Sequence, residues 1–370
     1  MKKKVAVIGA TGIAGQQFLA ALPNHPNFEV TVLAASSRSA KKKYIDALRE
    51  PSGAVGWWGD EELPEEYAQM QLVVADQFDA REVDIVFTAV ESDAAKTLEP
   101  RYAQTTPVIS TASAFRYEDD VPIFIPGVNN SHAQLIRHQQ ENRGWKGFVT
   151  PIPNCTTTGL AMTLKPIYDH FGIKSVVLTS MQAMSGAGRR GGVLGLDAVE
   201  NVIPYIPGEE EKAQKETQKI LGRYSEMLAD GPQSGGVHAE IIPASFPVSA
   251  TCTRVGVLDG HTEAVYVATE KPCSAEEVAE IFRNFDGGLK GLPSCPQPVI
   301  RVHDDPFRPQ PRRDRDNGGG MTTTVGRIRE ERALGEHGVK YVLVSHNTKM
   351  GAARGAILVA ELLMRDGIIK

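Results

Sequence analysis

The sequence has little of several features that mark particular protein classes. Its four cysteines lie far apart in 370 residues, so they form neither a disulfide framework nor a CxxC or Cys/His zinc pattern. No apolar run reaches the roughly 18 to 20 residues that a membrane-spanning helix needs. The net charge is −5, which argues against non-specific nucleic-acid binding. We therefore expect no metal, no membrane segment and no nucleic-acid partner.

The composition that is present is typical of a globular protein. Hydrophobic residues make up 41% of the chain and charged residues 23%, and the length allows two domains. The first residues read Met-Lys-Lys-Lys and lead into a short strand, without an apolar segment long enough for a signal peptide. Together with the scattered cysteines, this predicts a cytoplasmic protein.

A strand, a glycine turn and a helix are predicted at the start of the chain. Residues Lys4 to Ile8 form an apolar β-branched run, and Gly9-Ala10-Thr11-Gly12-Ile13-Ala14-Gly15 follows it. Glycines at such a turn let the backbone approach a pyrophosphate at the positive end of the helix. The spacing is GxxGxxG, not the commoner GxGxxG, and a tight turn without a ligand is the alternative. The flanking elements favour dinucleotide binding, with contacts from Gly9, Thr11, Gly12 and Ile13.

The end of the second predicted strand, Phe28 to Leu33, indicates which dinucleotide. NAD enzymes usually carry an acidic residue there, which holds the ribose 2′-hydroxyl. This chain has Ser36, Ser37 and Arg38 instead, and their hydroxyls and guanidinium suit a 2′-phosphate. We therefore expect NADP. Further strands, predicted at 72–75, 84–89 and 107–110, alternate with stretches that can hold helices, which predicts a doubly wound parallel sheet.

Cys155 is the candidate nucleophile. Asn154 is a favourable N-cap, so Cys155 is expected in the first turn of a helix. Free N–H groups and the helix dipole stabilise a thiolate there, which predicts a pKa below the usual value of about 8.5. The same N–H groups could hold an oxyanion. The other three cysteines fit the commoner role of small buried hydrophobes.

His261 is the candidate base for that thiol. Residues Ser249 to Leu258 alternate like a strand, Asp259-Gly260 predicts a hairpin turn, and His261 begins the returning strand. A histidine beside a turn is expected to be partly exposed and to titrate near neutrality. The chain holds eight other histidines, so spacing alone leaves the pairing with Cys155 open.

Six motifs occur in an order that resembles one known family. They are Gly9-Ala10-Thr11-Gly12, Pro153-Asn154-Cys155-Thr156-Thr157, Ser185-Gly186-Ala187-Gly188, Asn201-Val202-Ile203-Pro204-Tyr205, Gly208-Glu209-Glu210-Glu211-Lys212, and Arg254-Val255 through Gly260-His261. Taken together they resemble aspartate-β-semialdehyde dehydrogenase, in the branch found in archaea and fungi. The resemblance covers nearly the whole chain.

The resemblance implies a reaction and a role for each site residue. NADPH would reduce L-4-aspartyl phosphate to aspartate semialdehyde and phosphate, in the biosynthesis of aspartate-family amino acids. Cys155 would carry the acyl group as a thioester, and His261 would be the acid/base. The remaining roles are these: Arg254 for the α-carboxylate, Arg116 for the acyl phosphate, Glu209 and Lys212 for the amino group and phosphate region, Gln182 and Asn154 for positioning at the reacting group, and Ser185, Gly186 and Asn347 for the nicotinamide side of the cofactor.

The physical chemistry of the substrate agrees with those roles. Guanidinium groups recognise a carboxylate and a phosphate, and a carboxylate can hold an ammonium. Without the resemblance, Glu209 and Lys212 would be interpreted as a surface ion pair three residues apart on a helix.

Arg189-Arg190-Gly191-Gly192 depart from the Tyr-Pro-Gly that the family places after Ser-Gly-Ala-Gly. Two cations there could strengthen phosphate binding, face solvent or favour a coenzyme A thioester. Malonyl-CoA reductase is therefore an alternative, although malonyl-CoA has no ammonium for Glu209. A non-enzymatic NADP-sensing protein is a more distant alternative, which would need the glycine turn but neither Cys155 nor His261.

The resemblance also implies a discontinuous domain organisation. Residues 1–153 and 348–370 would form a Rossmann-type NADP-binding domain, closed by a C-terminal helix over Ala352 to Met364. Residues 154–347 would form an α+β catalytic and dimerisation domain with a large mixed sheet. Because the family assembles through that sheet, we expect a homodimer or homotetramer.

Overall fold

A six-stranded parallel sheet forms the N-terminal part of the computed structural model, which describes residues 1–39, 41–188, 195–228 and 237–370. Its strands are β1 (Lys3–Ile8), β2 (Phe28–Ala35), β3 (Leu72–Val74), β4 (Ile85–Thr88), β5 (Val108–Ser110) and β6 (Val149–Pro151). The spatial order is β3-β2-β1-β4-β5-β6. This is the Rossmann order, and it reverses direction between β1 and β4, where a ligand crevice is expected. The predicted fold class is confirmed for this sheet.

A seven-stranded mixed sheet forms the second part of the structure. In chain order its strands are β7 (Ile173–Gln182), β8 (Val202–Ile203), β11 (Val248–Val255), β12 (His261–Thr269), β13 (Ile300–His303), β14 (Thr323–Glu330) and β15 (Gly338–Ser345). The spatial order is β13-β14-β15-β12-β7-β11-β8. Strands β9 (Arg223–Leu228) and β10 (Val237–Ile242) pair separately. The predicted large mixed sheet is confirmed.

Helices cover both sheets. In chain order they are α1 (Ile13–Ala21), α2 (Tyr44–Leu48), α3 (Glu65–Ala68), α4 (Ser92–Ala103), α5 (Gln134–Arg143), α6 (Cys155–Phe171), α7 (Gly195–Ala198), α8 (Glu209–Ile220), α9 (Ala275–Asn284), α10 (Pro311–Asp314) and α11 (Arg354–Arg365). Helix α6 packs on β12, β15 and β7, and α8 packs on β11. Helix α11 returns to contact α1 and β5. Within the described ranges, no helix has both the length and the apolarity to cross a bilayer.

The predicted hairpin at Asp259-Gly260 is wrong. Strands β11 and β12 do not pair, because β7 lies between them, parallel to β11 and antiparallel to β12. Gly260 does adopt a positive φ of 92°, so the chain turns there, but it crosses the end of β7. A hairpin and this crossover have the same local sequence pattern of alternation and turn. Residues near the turn do not distinguish them, because the inserted strand, β7, begins some 75 residues before β11.

The turn after β1 brings backbone segments into unusually close approach. Gly9 has φ of 81°, and a Cβ there would lie 2.3 Å from the carbonyl oxygen of Ala89. A Cβ at Gly15 would lie 2.2 Å from the carbonyl oxygen of Gly9. These glycines therefore allow α1 to begin directly at the crevice of the parallel sheet.

We expect Gly9→Ala to lower the free energy of unfolding by at least about 3 kcal/mol, because left-handed strain and a backbone clash add together. Gly53→Ala is the matched control, since Gly53 has φ of 86° and a Cβ there meets nothing within 4 Å. Its cost should be nearer 1 kcal/mol. Urea unfolding of both variants measures the difference, and equal losses would show that the close approach at Gly9 does not matter.

Candidate active site

Helix α6 begins at the predicted residue. Oδ1 of Asn154 accepts a hydrogen bond from the N–H of Thr156 at 2.9 Å, which is the N-cap geometry that the sequence predicted. Cys155 is the first helical residue. Its thiol therefore lies where the unpaired N–H groups of the first turn converge.

Two buried carboxylates of α8 hold Asn154 from the other side. Oε2 of Glu209 accepts a hydrogen bond from Nδ2 of Asn154 at 2.8 Å. Oε2 of Glu216 accepts one from the backbone N–H of Asn154 at 2.6 Å. Both carboxylates are buried. The start of α6 is thus attached to α8 through the residue immediately before the nucleophile.

The structure brings Cys155 and His261 together. Sγ of Cys155 lies 3.1 Å from Nε2 of His261. Nδ1 of His261 accepts the backbone N–H of Ala183 at 3.0 Å, and a backbone N–H can only donate. In the neutral imidazole the hydrogen therefore resides on Nε2, where it points at the sulfur.

His261 differs from the sequence expectation in its burial. The expectation of a partly exposed ring that titrates near neutrality is wrong, because the side chain is fully buried. Burial lowers the pKa of His261 to about 3, and the charges of Arg254 and His346 act in the same direction. The ring is buried because β12 lies beside β7 inside the sheet, and this face of the sheet is covered by α6. At neutral pH His261 is an uncharged donor at Nε2.

The Cys155 thiol also departs from expectation. Burial, followed by the charge of Glu209, raises its pKa to about 12, while Arg254, Arg116 and the N–H of Thr156 act to lower it. The N–H of Thr156 at the helix start therefore lowers the pKa of the thiol, as predicted, but burial raises it by more. The predicted pKa below the usual value is wrong, and the thiol is protonated at neutral pH.

The ends of β7 and β11 bring two more predicted residues into the site. Gln182 and Arg254 pair in register and are both buried. Nε2 of Gln182 lies 3.4 Å from Oε2 of Glu209. Nη1 of Arg254 donates to the carbonyl oxygen of Ala183 at 2.7 Å, while its Nε has no partner within the described structure. That buried donor is available for an anion.

Arg116 approaches the same region from the parallel sheet. Its Nη1 donates to Oε1 of Glu216 at 3.0 Å, and its Nη2 donates to the carbonyl oxygen of Thr111 at 3.1 Å. Its buried Nε has no partner among the residues described. The predicted pair on α8 is also present, with Nζ of Lys212 lying 2.9 Å from Oε1 of Glu209. Glu209 is buried, so this pair is not an ordinary surface ion pair.

The predicted cofactor residues fall into two groups, and we expect each to form one edge of the crevice where the strand order reverses. Gly12 is the N-cap of α1, whose first turn, fully described, carries no acidic side chain. Ser36, Ser37 and Arg38 follow the end of β2 and are exposed. This charge pattern suits a pyrophosphate and a 2′-phosphate.

The second edge of the crevice adjoins the thiol. Nδ2 of Asn347 donates to Oγ of Ser185 at 2.8 Å, and its Oδ1 accepts the N–H of Gly260 at 2.9 Å. A Cβ at Gly186 would lie 3.0 Å from both Nη1 of Arg254 and Cε1 of His261. The absence of a side chain at Gly186 therefore allows its backbone to lie directly against the guanidinium and the imidazole.

Glu216 is a site residue that the sequence analysis did not identify. It lies seven residues after Glu209 on α8 and therefore shares its face, together with the buried Ala213 and Ile220. That helical spacing is the signal that could have found it. Arg189 and Arg190 lie outside the described residues. Across the described ranges, no group of three or more His, Cys, Asp or Glu side chains could hold a metal ion.

Comparisons with known proteins identify the family. The model described as "Semialdehyde dehydrogenase, NAD binding domain" matches residues 4–136, and "Semialdehyde dehydrogenase, dimerisation domain" matches residues 164–350. Aspartate-semialdehyde dehydrogenase of Methanothermobacter thermautotrophicus is 46% identical over 97% of this chain and 98% of its own length. The enzyme of that name from Candida albicans is 41% identical, covering 99% of both chains. The chain belongs to the aspartate-semialdehyde dehydrogenase family.

Solved structures of aspartate-semialdehyde dehydrogenases share the fold over the full length. The Candida albicans enzyme, solved with NADP, has a TM-score of 0.84 at 38% identity and covers 100% of each chain. Aspartate semialdehyde dehydrogenase II of Vibrio cholerae, complexed with ASA, has a TM-score of 0.71 at 26% identity, with 99% of each chain covered. The predicted family, enzyme class and fold class are confirmed. The roles of individual site residues stay predictions.

Glu263 carries a buried carboxyl group on the strand that begins with His261. It lies on β12 two residues after His261 and is fully buried, in register with Ser180 and Leu343. Within the described part of the chain, neither of its oxygens has a hydrogen-bond partner. Burial raises its pKa well above the ordinary value of 4.5, so the folded protein favours the neutral acid.

Glu209→Gln should make Cys155 react faster with iodoacetamide at pH 8, because the charge of Glu209 raises the pKa of the thiol. We expect a rise of about threefold or more, located to the Cys155 peptide by mass spectrometry. Glu211→Gln, on the exposed side of the same helix, should leave the rate unchanged. Equal rates in the wild type and Glu209→Gln would contradict the assigned electrostatics.

Glu263→Gln should stabilise the protein at pH 8 more than at pH 5. A carboxyl whose pKa is raised by folding costs nothing while it is protonated in both states. Stability is then lost as pH rises from about 4.5 toward the folded pKa. Glutamine removes that loss, so we expect Tm to rise by at least about 2 °C at pH 8. A uniform change at both pH values would indicate that the effect is packing and not ionisation.

Proposed function

We propose that this protein is an NADP-dependent aspartate-semialdehyde dehydrogenase in which L-4-aspartyl phosphate is reduced, reversibly, to L-aspartate 4-semialdehyde and phosphate through a thioester on Cys155. The observation that carries the proposal is the 3.1 Å contact between Sγ of Cys155 and Nε2 of His261 at the start of α6. The reaction belongs to the biosynthesis of lysine, methionine, threonine and diaminopimelate.

The cofactor would lie along the two crevice edges. Residues for the pyrophosphate and adjacent groups are Gly9, Thr11, Gly12 and Ile13, and residues for the 2′-phosphate are Ser36, Ser37 and Arg38. Ser185, Gly186 and Asn347 would flank the nicotinamide. The charge pattern at the first turn of α1 and the similarity to the Candida albicans structure solved with NADP support this. When bound, NADPH supplies the hydride that reduces the thioester.

The substrate presents three charges to complementary side chains. Arg254 would hold the α-carboxylate and Glu209 the ammonium, while Arg116 and Lys212 would contact the phosphate. The buried Nε donors of Arg254 and Arg116 support this, because a carboxylate or phosphate would satisfy them. An ammonium beside Glu209 would also offset the charge that raises the pKa of Cys155. An α-carboxylate beside Arg254 would offset a charge that lowers the same pKa, so the two groups of the amino acid end act on the thiol in opposite directions.

In the acyl-transfer step, the sulfur of Cys155 bonds to the acyl carbon and the bond from that carbon to the phosphate oxygen breaks. The proton of the thiol ends on the departing phosphate. N–H groups in the first turn of α6 and the Nε2–H of His261 would stabilise the intermediate oxyanion. Because Nδ1 accepts the N–H of Ala183, the neutral ring carries its hydrogen on Nε2 and would act in this step as a hydrogen-bond donor. The acid/base role that the family resemblance implies for His261 stays a prediction.

In the release step, the thiohemiacetal oxyanion becomes the aldehyde carbonyl as the carbon–sulfur bond breaks, and Cys155 leaves as a thiolate. Gln182 lies beside Glu209 and would fix the acyl chain between the sulfur and the crevice. The alternatives of malonyl-CoA reductase and an NADP-sensing protein are not favoured. The reported relatives are aspartate-semialdehyde dehydrogenases, and the Cys155–His261 pair has no use in a sensor.

We extend the proposal to domains, assembly and location. Residues 1–153 and 348–370 would form the NADP-binding domain, supported by the packing of α11 on α1 and β5, and residues 154–347 the catalytic domain. Residues on β7 and β11 alternate between buried and more exposed positions, so one face of the mixed sheet is available for a homodimer or homotetramer. The match to a dimerisation domain supports this. A cytoplasmic location follows from the proposed biosynthetic role.

We expect Cys155→Ala to abolish phosphate-dependent reduction of NADP with aspartate semialdehyde, because no thioester can form. The absorbance of NADPH measures the rate. Cys295→Ala is the control, since Cys295 is a half-buried cysteine that is not among the predicted site residues, and it should keep wild-type activity. Full activity in Cys155→Ala would end the proposal.

A further inference from the structure

Glu216 contacts three residues at the site, although the proposed chemistry gives it no role. Its Oε1 accepts hydrogen bonds from Nη1 of Arg116 at 3.0 Å and from the hydroxyl of Tyr117 at 3.2 Å. Its Oε2 accepts the backbone N–H of Asn154 at 2.6 Å. The side chain is completely buried. One carboxylate thus joins the phosphate-binding candidate to the residue that precedes the nucleophile.

These contacts require a carboxylate and not simply a polar side chain. All three partners are donors, so the group between them must accept on both oxygens and donate nothing. A glutamine of the same shape would turn an N–H₂ group against a donor. Arg116 is itself almost fully buried beside Glu216, and a buried ion pair is costly to break from one side.

The contacts of Glu216 also link the two sheets. Arg116 follows the end of β5 in the parallel sheet, whereas Glu216 belongs to α8, which packs on the mixed sheet. The position of the guanidinium relative to the sulfur is therefore set by a direct chain of contacts, Arg116 to Glu216 to Asn154. A displacement of about 1 Å in such a group is enough to impair binding of an anion or catalysis.

We propose that Glu216 is a positioning residue for the phosphate, which fixes the Arg116 guanidinium at a set distance from Cys155 by bonding both Arg116 and the peptide N–H before the nucleophile. The inference rests on the proposed function, in which Arg116 contacts the acyl phosphate. Glu216 itself touches no substrate. Its loss should therefore weaken the binding of phosphate and leave the binding of the amino acid end of the substrate largely unchanged.

The test is the split between two Michaelis constants in Glu216→Gln. We expect KM for phosphate to rise about tenfold or more, as for loss of a charge-assisted hydrogen bond. KM for aspartate semialdehyde should stay within about twofold. Glu211→Gln makes the same chemical change on the exposed side of α8 and should leave both constants unchanged. An equal rise in both constants, or no rise for phosphate, would overturn the inference.

A double variant tests whether Glu216 acts through Arg116. In an Arg116→Ala background, Glu216→Gln should add no further rise in KM for phosphate, and additive effects would contradict the proposal. If Glu216→Gln does not fold, as judged by circular dichroism, Tyr117→Phe replaces it. That variant removes only the hydroxyl that reaches Oε1, and it should raise KM for phosphate about twofold. An unchanged KM there would overturn the inference.

A second readout does not depend on turnover. Inorganic phosphate should protect Cys155 from iodoacetamide, and the half-protecting concentration should rise about tenfold in Glu216→Gln. Equal protection in the variant and the wild type would overturn the inference. The proposed function fails separately, if the wild type shows no phosphate-dependent NADP reduction or if Arg116→Ala leaves KM for phosphate unchanged.

Discussion

The hydrogen bonds of Asn154 determine where the reactive sulfur lies. Its side-chain oxygen caps α6, its side-chain amide is held by Glu209, and its backbone N–H is held by Glu216. Because Cys155 is the next residue, these three bonds place the thiol against Nε2 of His261. The parallel sheet provides the end of β1, where a crevice is expected, and the mixed sheet provides Gln182, Arg254 and His261. The position of the sulfur between them is determined by the carboxylates of α8.

Burial gives this site its electrostatic character. The thiol and the imidazole are both neutral at pH 7, since burial raises the pKa of Cys155 to about 12 and lowers that of His261 to about 3. The charges around them, Arg116, Arg254 and Glu209, complement a substrate with two anions and one cation. The reacting pair is therefore uncharged and lies among charged side chains of both signs.

Local signals in the sequence predicted the local features correctly. Asn154 as an N-cap, Cys155 as the first helical residue and the glycine turn at Gly9 each depend on a few neighbouring residues. Failures came from long-range contacts. His261 is buried because β7 is inserted beside β12, and Glu216 reaches partners 62 and 100 residues away. The sign of the Cys155 pKa shift likewise depends on burial, which no motif encodes.

The central claim is that an acyl group is held on Cys155. The direct measurement is to incubate the protein with aspartate semialdehyde and NADP without phosphate, and to analyse the quenched protein by peptide mass spectrometry. The account predicts an aspartyl thioester on the Cys155 peptide, which is lost when phosphate is added before quenching. Formation of NADPH with no acyl group on Cys155, or with the acyl group on another residue, would contradict it.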